Sequence, residues 1–353
     1  MKIITIVGAR PQFVKASVVS KEIRKKHEEI LVHTGQHYDY NMSQSFFDEL
    51  NIPAPDYHLD LKSKTPSERM GEMIQGISEI IQSHKPRLVL VYGDTDSTLA
   101  GAIAANKNEV DLAHIESGLR SYDKSLPEEI NRILTDHASK LLFCPTEASV
   151  SNLKAEGITK NVFLTGDVNF DSIIHFQEIA DNKILDNLGL KSKEYILATV
   201  HRKSNTEDKQ ILNNILEAFN ESKETIVFPM HPRTLKCLKE YNINQNSPNV
   251  KIIPPVTYLE MISLEKNAKK IVTDSGGVQK EAFFLKVPCI TLRENTEWTE
   301  TIDNGWNILV GTDKEKIIHA IKNFKPSSSQ INYYGDGNAS KIICEIIDKY
   351  YTN

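Results

Sequence analysis

The chain has 353 residues, 40% of them apolar and 25% charged, with 42 Lys and Arg against 47 Asp and Glu and a net charge of −5. That length exceeds one small core and suits two domains, and the composition is that of an ordinary globular protein. The acidic balance argues against nucleic-acid or anionic-membrane partners, and no apolar run approaches a membrane span.

The first predicted strand, 2–7, ends at once in Gly8-Ala9-Arg10-Pro11, so this opening does not read as a signal peptide. Pro11 suits the first turn of a helix, which places Arg10 and Lys15 at a strand–helix junction. A second strand, 30–34, runs into His33-Thr34-Gly35-Gln36-His37. The two histidines there sit on a strand and a glycine turn, so no metal site is expected. Strand 87–92 stops at Gly93-Asp94, strand 111–115 stops at Glu116, and Pro127-Glu128-Glu129 opens a helical pattern. Groups just past strand ends face the ligand crevice of an open α/β sheet. Three acids there, Asp94, Glu116 and Glu128, read as acid–base equipment. Glu129 reads as a helix-terminus residue. Strands 140–144 and 161–165 complete the first series.

A second series follows at 194–200, 225–230, 250–254, 270–273, 288–292 and 307–310. Strand 194–200 leads into His201-Arg202. Strand 270–273 leads into Asp274-Ser275-Gly276-Gly277, with a helix-compatible run over 278–285. Small residues at a helix start let a diphosphate approach backbone N–H groups; an ordinary cap by Asp274 or Ser275 is the competing reading. Glu281, in the second turn, suits ribose hydroxyls. Arg10, Lys15, His201 and Arg202 suit phosphate oxygens. Neither glycine motif is a Walker A or a Gly-x-Gly-x-x-Gly sequence, so an NAD mechanism finds no support.

Short β-rich runs alternating with helix-length segments predict an α/β fold of two doubly wound, Rossmann-like domains, 1–168 and 169–335, with the ligand cleft between them. The break is expected within 166–177. A last helical segment, about 338–350 within 336–353, is expected to return to the first domain. The four cysteines (Cys144, Cys237, Cys289, Cys344) contain no Cys-x-x-Cys pair and read as reduced core residues of a cytoplasmic protein.

Seven ordered segments make the sequence resemble the non-hydrolysing UDP-N-acetylglucosamine 2-epimerase family over nearly its whole length. They are the runs 8–15, 32–37, 93–95, 114–120, 127–132, His201-Arg202 and 274–281. The resemblance implies the GT-B type of two-domain fold, a homodimer, and interconversion of UDP-GlcNAc and UDP-ManNAc without a cofactor. It implies that Asp94, Glu116 and Glu128 are the acid–base set. Arg10, Lys15 and His201 would stabilise the departing diphosphate, and Ser275, Gly276, Gly277 and Glu281 would hold the nucleotide. Gln12 and the Thr296-Glu297-Trp298 segment depart from the commonest family form. They are similar to a branch acting on UDP-2,3-diacetamido-2,3-dideoxy-glucuronate. Gln36 and His37 match part of a second UDP-GlcNAc site that activates some members, whereas no arginine near residue 66 is matched. A glycosyltransferase of the same fold, a hydrolysing epimerase and a silent nucleotide-sugar binder are the competing classes. The three carboxylates weigh against the last.

Overall fold

A computed structural model describes residues 1–36, 47, 49–50, 52–63, 65–243 and 247–352. All twelve expected strands are present, joined by a two-residue edge strand that the sequence reading lacks. The chain divides into two compact units. Unit 1 comprises 1–174 and 332–353; unit 2 comprises 175–331.

Unit 1 holds β1 (Lys2–Val7), β2 (Glu28–His33), β3 (Tyr57–His58), β4 (Leu88–Tyr92), β5 (Asp111–Ile115), β6 (Leu141–Cys144) and β7 (Val162–Leu164). Their spatial order is β3-β2-β1-β4-β5-β6-β7, and every pairing is parallel. Ile3, Ile4, Ile6 and Val7 of β1 are all buried, as are all five residues of β4. A parallel sheet covered on both faces requires such nearly continuous apolar runs, broken in β1 only by Thr5, whose hydroxyl donates to Glu29. β3 carries Tyr57 and His58, both exposed, so no apolar pattern announces it.

The first division falls inside the helix Val168–Ile179, between residues 174 and 175. Its opening residues are tied to unit 1. The Asp167 N–H donates to Tyr334 O at 2.9 Å, and the Asp171 carboxylate accepts from Ser340 N and Oγ, each at 2.7 Å. Gly166 (φ +84°) lies against the backbone of Tyr334 and Gly335, so residues 332–335 belong to unit 1 as well. The helix Ala339–Thr352 packs on the helix Arg10–Ile23. Its Asp348 pairs with Lys26 and His27, both at 2.6 Å.

Unit 2 holds β8 (Ile196–Thr199), β9 (Ile226–Pro229), β10 (Val250–Ile253), β11 (Lys270–Thr273), β12 (Cys289–Thr291) and β13 (Asn307–Leu309). Their order, β10-β9-β8-β11-β12-β13, is again all parallel. In each sheet the chain returns past its first strand, so the strand order reverses between β1 and β4 and between β8 and β11. Those two reversals are topological switch points, where ligands bind doubly wound sheets. Among the described residues, no helix is long and apolar enough to cross a membrane. The four cysteines are buried free thiols.

Candidate active site

At the switch point of unit 1, one side chain joins the ends of β1 and β4. Gln12 Oε1 accepts from the N–H groups of Gly8 and Ala9 at 2.8 and 3.1 Å. Its Nε2 donates to Tyr92 O at 2.9 Å and Thr98 Oγ1 at 3.0 Å. All four bonds of a buried amide are made, which fixes the glycine turn against the end of β4. Arg10 is exposed in the first turn of the helix that follows.

The carboxylates cluster one step further along the sheet. Asp94 Oδ2 accepts from Arg132 Nη1 at 2.5 Å, and the Asp94 carbonyl accepts from Asn131 Nδ2 at 2.9 Å. About a third of the Asp94 side chain (34%) stays open. Desolvation raises its pKa, Arg132 opposes this, and the charges of Glu116 and Glu128 add to it. Glu116 is buried and pairs with Lys15 Nζ. Its backbone is left-handed (φ +73°), a conformation that costs a non-glycine residue roughly 1–3 kcal/mol and is met most often at functional sites. Gly93 makes room for this pair: a Cβ there would lie 3.2 Å from Glu116 Oε2 and 3.6 Å from Lys15 Nζ. Glu128 is exposed in the first turn of the helix Pro127–Ala138. Its neighbour Glu129 is buried and accepts from Ser121 N and Tyr122 N, each at 2.9 Å, and from Arg132 Nη2 at 2.7 Å. Glu129 therefore shapes the 121–122 turn and orients Arg132 toward Asp94.

Behind these groups lies a buried charge relay that the sequence reading does not single out. His114 Nδ1 meets Asp136 Oδ1 at 2.7 Å and His114 Nε2 meets Gly93 O at 2.7 Å. The ring thus bridges the Asp136 carboxylate and the Gly93 carbonyl. Asp136 also accepts from Gly118 N at 3.1 Å and Arg120 Nη1 at 2.7 Å. Burial alone would raise the Asp136 carboxyl; the charges of His114 and Arg120 outweigh it and hold it below the usual range. The relay fixes the carbonyl next to Asp94 and the loop that carries Glu116. Replacing His114 with leucine strands Gly93 O and uncovers one oxygen of Asp136. The expected loss is about 2–4 kcal/mol of stability, read from the urea unfolding midpoint. An unchanged midpoint would remove the relay from the account of this loop.

Unit 2 closes its switch point with a carboxylate instead of an amide. Asp274 is fully buried and accepts from His201 N at 2.9 Å, Arg202 N at 2.9 Å and Asn205 Nδ2 at 3.2 Å. It therefore joins the end of β8 to the end of β11 and does not cap the next helix. Ser275 is that cap, its Oγ accepting from Val278 N at 3.5 Å. The helix Gly276–Phe284 begins with two glycines. A Cβ on Gly276 would collide with the Glu297 carboxylate, whereas one on Gly277 would meet only Ser275 Oγ at 3.8 Å. The Gly277 backbone is thus open to close approach at the positive end of the helix dipole. Burial lowers the His201 pKa; Asp274 opposes this, and Arg233 and Arg202 reinforce it. His201 stacks on His231 with ring centres 5.2 Å apart. Glu281 is half-buried and accepts from the Tyr258 hydroxyl at 3.4 Å.

A family model described as UDP-N-acetylglucosamine 2-epimerase matches residues 21–348. The chain belongs to the UDP-N-acetylglucosamine 2-epimerase family. It is 57% identical to a UDP-N-acetylglucosamine 2-epimerase homolog of Methanococcus maripaludis, over 98% of this chain and 99% of that one. It is 48% identical to the UDP-2,3-diacetamido-2,3-dideoxy-D-glucuronate 2-epimerase of Pseudomonas aeruginosa, over 99% and 100%. The UDP-GlcNAc 2-epimerase of Methanocaldococcus jannaschii, solved in complex with UDP-GlcNAc and UDP, superposes with a TM-score of 0.91 at 43% identity, covering 99% of this chain and 100% of that one. The two Rossmann-like units are those of the GT-B fold of this epimerase family.

Two of this epimerase's sequence departures have a structural setting. Gln12 is the amide described above, and its Nε2 donates to Tyr92 O, a bond a glutamate cannot make. Trp298 is buried, with Lys280 Nζ 4.0 Å from its ring centre. Beside it Glu297 pairs with Arg293 at 2.9 Å. Of the proposed second-site residues, Gln36 Oε1 accepts from Ser97 N at 3.0 Å, and His37 lies outside the described residues. Arg69, which the sequence reading leaves unassigned, donates to Gln36 O at 2.7 Å. Helical position alone does not announce that contact, because it spans 33 residues of chain. Among the described residues, no group of three or more His, Cys, Asp or Glu is arranged to hold a metal ion.

Proposed function

We propose that the chain is a non-hydrolysing 2-epimerase interconverting UDP-GlcNAc and UDP-ManNAc. The observation that carries this is the placement of Asp94, held by Arg132, and of the Lys15-bound Glu116 just past β4 and β5. The C2 proton of the sugar has no adjacent carbonyl, so direct abstraction is costly. If the C1–O bond breaks first, its electron pair leaves on the UDP oxygen and positive charge develops at C1. A carboxylate then takes the C2 proton, and the C2–H electrons form a C1=C2 double bond, giving a 2-acetamidoglucal. Return of a proton to the opposite face of C2 and attack of the UDP oxygen on C1 completes the inversion. Every electron pair returns to carbon or oxygen, so the cycle calls for no redox cofactor. Asp94, Glu116 and Glu128 serve as the acid–base set. Arg10, Lys15 and His201 offset charge on the departing diphosphate. Ser275, Gly276, Gly277 and Arg202 hold the phosphates, and Glu281 the ribose.

A second reading keeps the chemistry and changes the sugar to UDP-2,3-diacetamido-2,3-dideoxy-glucuronate. It is favoured by the 48% identity to an enzyme of that name, against 44% to the UDP-N-acetylglucosamine 2-epimerase of M. jannaschii. Proton NMR in D₂O with each nucleotide in turn separates the two. The working substrate loses its C2 proton signal while a manno-configured anomeric signal grows; neither change with either nucleotide would overturn both readings.

Such a product suits a cytoplasmic step that supplies surface polysaccharide. We also propose a homodimer, supported by Ile130 (38% exposed), Leu134 (49% exposed) and half-buried Ile133 along one helix. Light scattering should give twice the 39.9 kDa chain mass, and glutamate at both 130 and 134 should return the monomer value. A monomeric native protein would dismiss this.

A further inference from the structure

Glu265 sits in the helix Tyr258–Asn267 with no exposed surface, and neither of its carboxyl oxygens has a hydrogen-bond donor among the described residues. Apolar Leu264, Ala268, Ile271 and Ala282 form the core around this helix. The surrounding polar groups do not serve it. The Tyr195 hydroxyl donates to Leu264 O at 2.6 Å, and Cys289 Sγ meets Thr291 Oγ1 at 3.7 Å. The helix Lys183–Leu188, which packs on the same element, has its polar side chains, Lys183, Asp186 and Asn187, all exposed. An ionised carboxylate would have neither water nor a donor there. The helix Gly276–Phe284 also packs on this element, and Tyr258, two helical turns before Glu265 on the same face, donates to Glu281 at 3.4 Å, which makes the Glu281 carboxyl the charge facing this side of the helix. Two carboxyls in contact form a bond only when one carries a proton.

We propose that Glu265 is a protonated positioning residue that donates its O–H to Glu281 and holds that carboxylate as the acceptor for the ribose hydroxyls of a uridine nucleotide. The inference rests on the reading of unit 2 as the nucleotide-binding unit. Burial, and then the neighbouring Glu281 charge, keeps the Glu265 carboxyl protonated well above the usual carboxylate range. The Tyr258 hydroxyl supplies a further donor to Glu281. Loss of the Glu265 proton would leave two adjacent like charges, and Glu281 would turn from its ligand. UDP affinity is therefore level below the Glu265 ionisation and falls as pH rises through it.

Calorimetric titration of the intact protein with UDP and with 2′-deoxy-UDP, from neutral to alkaline pH, tests this. Glu265→Leu keeps the packing and removes the donor; UDP should bind about tenfold more weakly at neutral pH, with a smaller loss for 2′-deoxy-UDP. Glu265→Gln restores a donor that does not titrate, so its affinity should recover toward that of the native protein and lack the native alkaline decline. A purely structural Glu265 would not produce that difference between the two pH profiles. Superimposable native and Glu265→Gln profiles, or undiminished UDP binding by Glu265→Leu, would overturn the proposal alone. Failure of the native protein to bind UDP would overturn the nucleotide reading and this proposal with it.

Discussion

Asp94→Asn is expected to lower kcat by about 10²–10⁴-fold while leaving UDP affinity within about twofold. Asparagine matches the shape of Asp94 and retains one oxygen to accept from Arg132 Nη1. What it lacks is the ability to take or return a proton. Desolvation, Glu116 and Glu128 together outweigh Arg132 and Lys15 and raise the Asp94 pKa, which favours its exchange of a proton. The same shift gives the variant a second signature. A carboxyl with a raised folded-state pKa contributes its stabilisation below the unfolded value, near 3.8, and that contribution is lost as pH rises through the folded value. At neutral pH the Asp94 charge thus weakens the fold. Asparagine should hold or raise the melting temperature there, and Arg132 keeps Glu129 as a partner. Turnover lost together with stability would point to damage, and turnover retained would remove Asp94 from the mechanism.

The second large effect belongs to unit 2. Asp274→Ala removes the acceptor for the N–H groups of His201 and Arg202 and for the Asn205 amide, all at a buried position. Each stranded donor costs about 1–3 kcal/mol, so a loss of about 3–5 kcal/mol is expected from unfolding experiments. The chemistry should suffer too, since the bonds to residues 201 and 202 set the backbone that aims His201 and Arg202. UDP affinity should fall by more than about tenfold even under conditions where the variant remains folded. Asp274→Asn offers a control. Its amide keeps one oxygen and adds two N–H groups facing donors, so it should rescue only part of the stability. A variant with native UDP affinity would show that the switch point of unit 2 does not organise its ligand groups.

Much of the architecture is readable from the chain because buried parallel strands are nearly continuous apolar runs. β1, β4 and β8 stand out for that reason, and Gly8, Asp94 and His201 fall just past their ends. β3 does not stand out, since two exposed residues on a sheet edge carry no pattern. The side chains that organise the candidate site are the least legible part. Gln12 reaches Tyr92, His114 reaches Asp136 and Asp274 reaches His201 across 80, 22 and 73 residues of chain. A buried polar residue acquires its partner only when the sheet assembles, so spacing along the sequence carries no trace of it. Asp274 illustrates the point: beside a helix start it reads as a cap, yet the backbone of a neighbouring strand claims its carboxylate. Arg132 is similar, a helix residue whose meaning appears only once Asp94 lies opposite it.

The return of the helix Ala339–Thr352 to unit 1 sets an order on synthesis. Residues 332–353 leave the ribosome after all of unit 2. Until then the helix Arg10–Ile23 lacks its cover, and Asp111 lacks the Tyr351 hydroxyl that donates to it at 2.8 Å. Unit 2, made from one continuous stretch, is free to form as it emerges. Unit 1 must wait with an unfinished face. A ribosome that stalls inside unit 2 therefore releases a chain in which this face of unit 1 stays uncovered.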